Sequence, residues 1–195
     1  MFLGASGLLQ HKIGSPSVFP PIPADVAAQS YANNFKWKTS EGADRYRRGM
    51  YTFVKRTAAD PNLLTFDCPD ANVSVVERHV SNTPIMALAT LGNEVFHEAA
   101  QALAARLLSD GSLGDDPARI NHAFLLCLSR PPSPAESSQV AHLLKTSRRY
   151  YADHGEDAVA LCSAHRAKGV AAPENAAWIA TARALLNLDE TLTRP

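Results

Sequence analysis

Cysteine is scarce. Cys68, Cys127 and Cys162 lie far apart, and with no CxxC or CxxCH the sequence excludes a zinc ribbon, a redox pair and covalently attached haem. One disulfide with a thiol left over and three buried thiols both stay open. Net charge is also absent: nineteen basic residues balance nineteen acidic ones. No global field therefore draws the chain to nucleic acid or an anionic membrane, and nucleic acid is not expected as a partner. No apolar run approaches the roughly 18 residues that a membrane-spanning helix needs. The opening Met1-Phe2-Leu3-Gly4-Ala5-Ser6-Gly7-Leu8-Leu9 is short and has no basic lead, which makes it a poor export signal. It reads instead as the end of a helix whose beginning is missing, so the chain is expected to be the C-terminal fragment of a larger protein.

Catalytic signatures are missing too. His97-Glu98 does not extend to HExxH, because position 101 is Gln101, which removes the zinc-peptidase reading. Ser6 and Ser133 stand in cap or turn contexts outside any GxSxG. His11, His79, His122, His142, His154 and His165 have no ligand-like spacing. No metal site and no cofactor are expected in this chain, and no internal repeat is visible.

What is present is an ordinary globular composition. At 195 residues, 46% hydrophobic and 19% charged, the chain can bury one good core or two small ones. The expected fold is mainly α, a single domain over 1–195. A helical, bundle-like part spans 82–195, and an irregular, proline-rich wrap spans 1–81 with two short strands near 35–39 and 73–76.

The chain turns on Ser81-Asn82-Thr83-Pro84. Asn82 or Thr83 can cap a helix, Pro84 suits its first turn, and Ile85, Leu88 and Leu91 follow at helical spacing. A break near Gly92-Asn93 lets Asn93 cap a second helix through Phe96, Ala100, Leu103 and Leu107 to about Ser109. A third begins at Asp116-Pro117, with Ile120, Phe124 and Cys127 or Leu128 on one side. Ser133-Pro134-Ala135-Glu136 is a capping box that opens a fourth, running to about Asp153. A short helix near Asp157 to Cys162 and a last one after Pro173, burying Trp178, Ala182, Leu185 and Leu186, complete the half. Upstream, Pro16, Pro20, Pro21 and Pro23 rule out a helix interior over 14–34. Arg45 to Arg56 leans towards helix, and Thr57 to Ser81 shows none.

Ser6-Gly7-Leu8-Leu9 with Lys12-Ile13-Gly14, Arg47-Arg48 with Tyr51-Thr52-Phe53, Lys55-Arg56-Thr57, Phe66-Asp67 with Pro69-Asp70, Asn82-Thr83-Pro84, Phe96 with Glu98-Ala99-Ala100, Arg130-Pro131-Pro132 and Leu186-Asn187-Leu188-Asp189-Glu190 follow one another in order. This set resembles the planctomycete cytochrome-c-associated C-terminal domain family, a family of unknown function, over nearly the whole chain. The resemblance implies the last region of a large exported bacterial protein, with upstream domains of the same protein as partners and haem only in an upstream domain. The chain departs from the family pattern at Met86, where a glutamine is usual, at Ser74, Glu77 and Val80 around the retained Arg78, and at Gly92-Asn93-Glu94.

Two groups of residues are candidates for a site. Arg56, Asp67, Asp70, Arg78, Asn82 and Glu98 fall in or beside the family motifs. Asp67 and Asp70 can act as a carboxylate pair or as Asx-turn residues, and Glu98 can answer Arg56 or Arg78 across the core. Asp67 is expected to be a partly buried structural lock. Arg45, Arg47, Arg48 and Lys55, interleaved with Tyr46, Tyr51 and Phe53, can clamp a polyanion such as a sulfated glycan or single-stranded nucleic acid, or form a solvated basic face balanced by Asp44 and Asp60. Three functions follow as expectations: a non-catalytic helical module completing a larger exported protein, part of a hydrolase acting on an exported substrate such as polysaccharide, or support for an upstream cytochrome c module.

Overall fold

Asp60, Thr83, Asn93, Asp115 and Ser133 each put a short polar side chain ahead of a helix. In every case that side chain accepts a hydrogen bond from a backbone N–H of the first turn that the helix itself leaves unpaired. The computed structural model describes residues 1–23, 27, 36–54, 60–69, 73–77, 81–163 and 165–193. Its helices are α1 (Phe2–Ser6), α2 (Pro61–Thr65), α3 (Pro84–Gly92), α4 (Glu94–Ser109), α5 (Asp116–Leu128), α6 (Pro134–Asp153), α7 (Gly155–Leu161), α8 (Ala172–Leu186) and α9 (Asp189–Leu192). The fold is mainly helical, as expected, and the capping box at Ser133 is complete on both sides.

The core forms around α8, which packs against α4, α6 and α7 and touches α5. Its Ala176, Ala177, Trp178, Ile179, Ala182, Leu185 and Leu186 are all buried. Alanines on α8 meet Ala99, Ala100 and Ala104 of α4, and such small side chains let helix axes approach closely. Leu103, Leu107, Ile120, Phe124 and Leu144 fill the space between. Cys127 lies in this core, where burial pushes its thiol up to about 12, so it is an inert packing group. All three cysteines are free thiols, Cys68 half-buried and the other two buried.

Polar groups fix how the helices meet. Arg148 on α6 pairs with Asp116 on α5 and with Glu174 on α8 at 2.5 Å, and Glu174 also accepts from the Trp178 indole at 3.0 Å. Buried Asn175 accepts from the Ala167 N–H at 2.9 Å and donates to the carbonyls of Val170 and Ala171 at 3.1 Å, which pins the α7–α8 loop to the start of α8. At the other end of the chain, Arg106 of α4 donates to the Ala5 carbonyl at 2.9 Å. It thereby satisfies the C-terminal end of α1, which stops at Gly7 in the left-handed conformation (φ 80°).

Three expectations need correction. The two short strands are not formed: among the described residues only the isolated bridges Gln10–Arg47 and Val18–Thr52 appear, and 73–77 is irregular. Prolines at 16, 20, 21 and 23 bring no N–H to a ladder, so pairing stops after one step. Of Arg45 to Arg56, Lys55 and Arg56 lie outside the described residues, and the rest is not a helix but two 3₁₀ turns, Gly42–Tyr46 and Gly49–Tyr51, joined through Arg47 and Arg48. The stretch read as free of helix contains α2, begun by the Asp60 cap and Pro61. The helix expected after Pro84 is α3, which buries Met86 and Thr90 and leaves Ile85 and Leu88 67% and 70% exposed. Its orientation is set by Thr90, whose hydroxyl lies 2.5 Å from the Asn187 side chain after α8, and by Arg183 of α8, which donates to the Leu91 carbonyl at 2.6 Å.

Candidate functional site

Glu94 and Glu98 stand one turn apart on α4 and so share a face. Both meet Arg45 from the first 3₁₀ turn, whose guanidinium donates to Glu94 at 3.0 Å and to Glu98 at 3.1 Å. The Tyr46 hydroxyl donates to the other oxygen of Glu98 at 2.8 Å, and the His165 ring lies 3.3 Å from that same oxygen. Glu98 is thus the hub of a network joining the N-terminal wrap, α4 and the α7–α8 loop, with its side chain only 12% exposed. Burial opposes its ionisation, but the Tyr46 hydroxyl and the Arg45 guanidinium outweigh burial and hold its carboxyl below the usual glutamate range.

Beside this network lies a cavity of about 670 Å³, within the range typical of small-molecule sites. Phe2, Phe66 and Phe96 form one wall, their ring centroids 4.7 to 6.1 Å apart and tilted or edge-on to one another. Arg45, Tyr46, Glu98 and Asp60 supply polar groups. Asp60 is 4% exposed, not part of a solvated basic face. One carboxylate oxygen caps α2, accepting from the N–H groups of Asn62 at 2.8 Å and Leu63 at 3.4 Å. Burial raises its pKa above the usual aspartate value, against the pull of those two N–H groups.

The other candidates are placed separately. Asp67, at φ 55°, accepts from the Ser81 N–H at 2.8 Å and from the Ser81 hydroxyl at 2.8 and 3.0 Å. Asn82 bonds Asp189 at the start of α9. Among the described residues no hydrogen bond or ion pair joins Asp67, Asn82 and Glu98 to one another; Arg56, Asp70 and Arg78 lie outside those residues. Of the basic group, Arg45 is engaged as above and Lys55 lies outside the described residues. Arg47 is buried, donating to the carbonyls of Lys12 (3.0 Å) and Gly14 (2.7 Å) and to the Ser15 hydroxyl (2.7 Å), with its guanidinium 4.2 Å from the centre of the Tyr51 ring. It also donates to Asp44 at 3.4 Å, and of the described members of this group Arg48 is the exposed one.

Sequence reasoning missed Asp60, Tyr46 and His165 as site residues. The spacing of Glu94 and Glu98 hinted at a shared cation, but nothing local points to His165, 67 positions from Glu98. His97 is half-buried, its ring 2.9 Å from the side chain of Gln101; that buried amide also donates to the Leu161 carbonyl at 2.7 Å. Among the described residues no three His, Cys, Asp or Glu side chains gather as a metal cage requires, and no helix is long and apolar enough to cross a membrane.

A helical domain with a ligand-sized cavity between its bundle and a pinned N-terminal wrap is the class these features define. The chain belongs to a family described as protein of unknown function (DUF1553), PSD1, whose profile matches residues 1–144. No curated protein and no solved structure matches the chain.

Proposed function

We propose that the chain is a non-catalytic helical module that packs against, and completes, a larger exported bacterial protein. The observation carrying this reading is the outer face of α3. Ile85, Leu88 and Leu91 stand at successive turns and are 67%, 70% and 41% exposed, a stripe of apolar side chains on a well-capped helix. Export and an upstream partner rest on the resemblance of the ordered motifs. Leu88→Asp tests the reading. At so exposed a position it should shift melting by no more than about 2 °C. It should weaken association with the separately expressed upstream region at least about tenfold, measured by titration calorimetry. Equal affinity of parent and variant for that region would refute the module.

A hydrolase acting on an exported polysaccharide is the second reading, favoured by Asp60 and Glu98 lining one cavity, because glycoside hydrolysis uses two carboxylates. Glu98, however, is occupied by Tyr46, Arg45 and His165, which suits a structural hub better than a proton-transfer group. Turnover of a polysaccharide by the chain, abolished by Glu98→Gln, would establish the hydrolase in place of the module.

A further inference from the structure

The acids that line the cavity are already bonded, whereas its arginines leave donors over. Glu98 has both oxygens taken by Arg45, Tyr46 and His165, and Asp60 caps α2 through the N–H groups of Asn62 and Leu63. Arg45, Arg47 and Arg48 belong to the same lining, and they differ from one another. Arg45 is shared between Glu94 and Glu98. Arg47 has its terminal nitrogens bonded, but its Nε is buried with no acceptor. Arg48 is exposed and, among the described residues, makes no hydrogen bond or ion pair. A guanidinium offers five N–H donors and no acceptor, so what this lining lacks is an acceptor.

We infer that this cavity binds an organic monocarboxylate on an apolar stem, its carboxylate held by the Arg48 guanidinium and its stem laid against Phe2, Phe66 and Phe96. Two features select that chemistry. A planar guanidinium fork meets a carboxylate through two parallel charge-assisted N–H···O bonds, stronger than a neutral acceptor would give. The three rings, with Leu3, Leu63 and Val95 beside them in the lining, bury the stem and take an aromatic one edge-on or offset. A cationic head would instead meet arginines at three of four successive positions. The inference rests on the cavity and is independent of the α3 face.

Calorimetric titration of the full chain with phenylbutyrate tests it, with phenylbutylammonium as the cation of similar shape and acetate as the head without a stem. Phenylbutyrate should bind, and at the same concentrations the other two should not. Arg48→Gln removes a side chain that is exposed and bonds nothing, so melting should move by no more than about 2 °C while phenylbutyrate affinity falls about tenfold or more. Arg48→Lys keeps the charge without the fork and should retain part of that affinity. Val95→Phe adds bulk to the cavity from α4 without altering Arg48, and should weaken phenylbutyrate binding severalfold. Absence of phenylbutyrate binding, or equal binding of phenylbutylammonium or acetate, would overturn the inference. An affinity unchanged in Arg48→Gln, or in folded Val95→Phe, would do the same.

Discussion

Asp67 ties the segment after α2 to the one that enters α3, spanning 14 positions of sequence through a single carboxylate. Three contacts hold the tie: the Ser81 N–H and the Ser81 hydroxyl on Oδ2, both at 2.8 Å, and the hydroxyl again on Oδ1 at 3.0 Å. Hydrogen bonds to a charged acceptor contribute about 1.5 to 3 kcal/mol each when well formed. Asn at this position retains one carbonyl oxygen for the Ser81 N–H and tolerates the left-handed backbone that φ 55° requires. Asp67→Asn should therefore forfeit the charge and one oxygen only, costing about 1 to 2 kcal/mol, or about 2 to 8 °C of melting temperature in a chain of this size. Ser81→Ala removes the hydroxyl from the other side, and the double mutant should cost less than the sum, with a coupling of about 1 kcal/mol. Thermal unfolding of the four proteins by circular dichroism measures this. A coupling near zero, or melting unchanged in Asp67→Asn, would show that the contacts contribute nothing and that Asp67 is not a lock.

Two other perturbations probe the bundle. Phe96 packs on Phe2 and Phe66 with 8% of its surface exposed, so Phe96→Ala should cost about 3 kcal/mol, at the low end for a buried ring because one side faces the cavity; a melting shift within about 2 °C would contradict that packing. Burial, and then the nearby Arg183 guanidinium, hold the His97 imidazole below its ordinary value of 6.5. The unfolded chain thus binds that proton first, and stability should fall as pH drops through about 6.5 towards the lower folded value; His97→Gln should remove part of the decline, and an identical pH profile in the variant would refute the assignment.

The helical half was legible because its signals are local. Ser133-Pro134-Ala135-Glu136, Asp116-Pro117 and Asn93 each determine a start within four residues, and the observed helices begin there. Asp60-Pro61 carries the same kind of signal, yet Pro61 and Pro69 together read as breakers; a proline at the first helical position is a start, not a stop. The inward face of α3 carries no local signal. Ile85, Leu88 and Leu91 have the right period, but which side of a helix turns inward depends on distant partners, here Asn187 and Arg183. The Glu98 network was illegible on the same ground, because Arg45 and His165 approach it from 53 and 67 positions away.

The position of α8 in the chain affects how the protein can be made. Trp178, Ile179, Ala182 and Leu185 fill the middle of the structure, yet they leave the ribosome after the helices they pack against. Until then Ala99, Leu103 and Leu107 of α4 lack the helix that packs most closely on them, and Ile120 and Phe124 of α5 lack part of their cover. At about 5 to 20 residues per second, the interval between α4 and α8 lasts several seconds, during which those sticky surfaces invite chaperones or self-association. Residues 1–144, the span the family profile covers, stop short of this helix. A clone cut at that boundary is expected to go into inclusion bodies, and one carried through Leu186 to stay soluble.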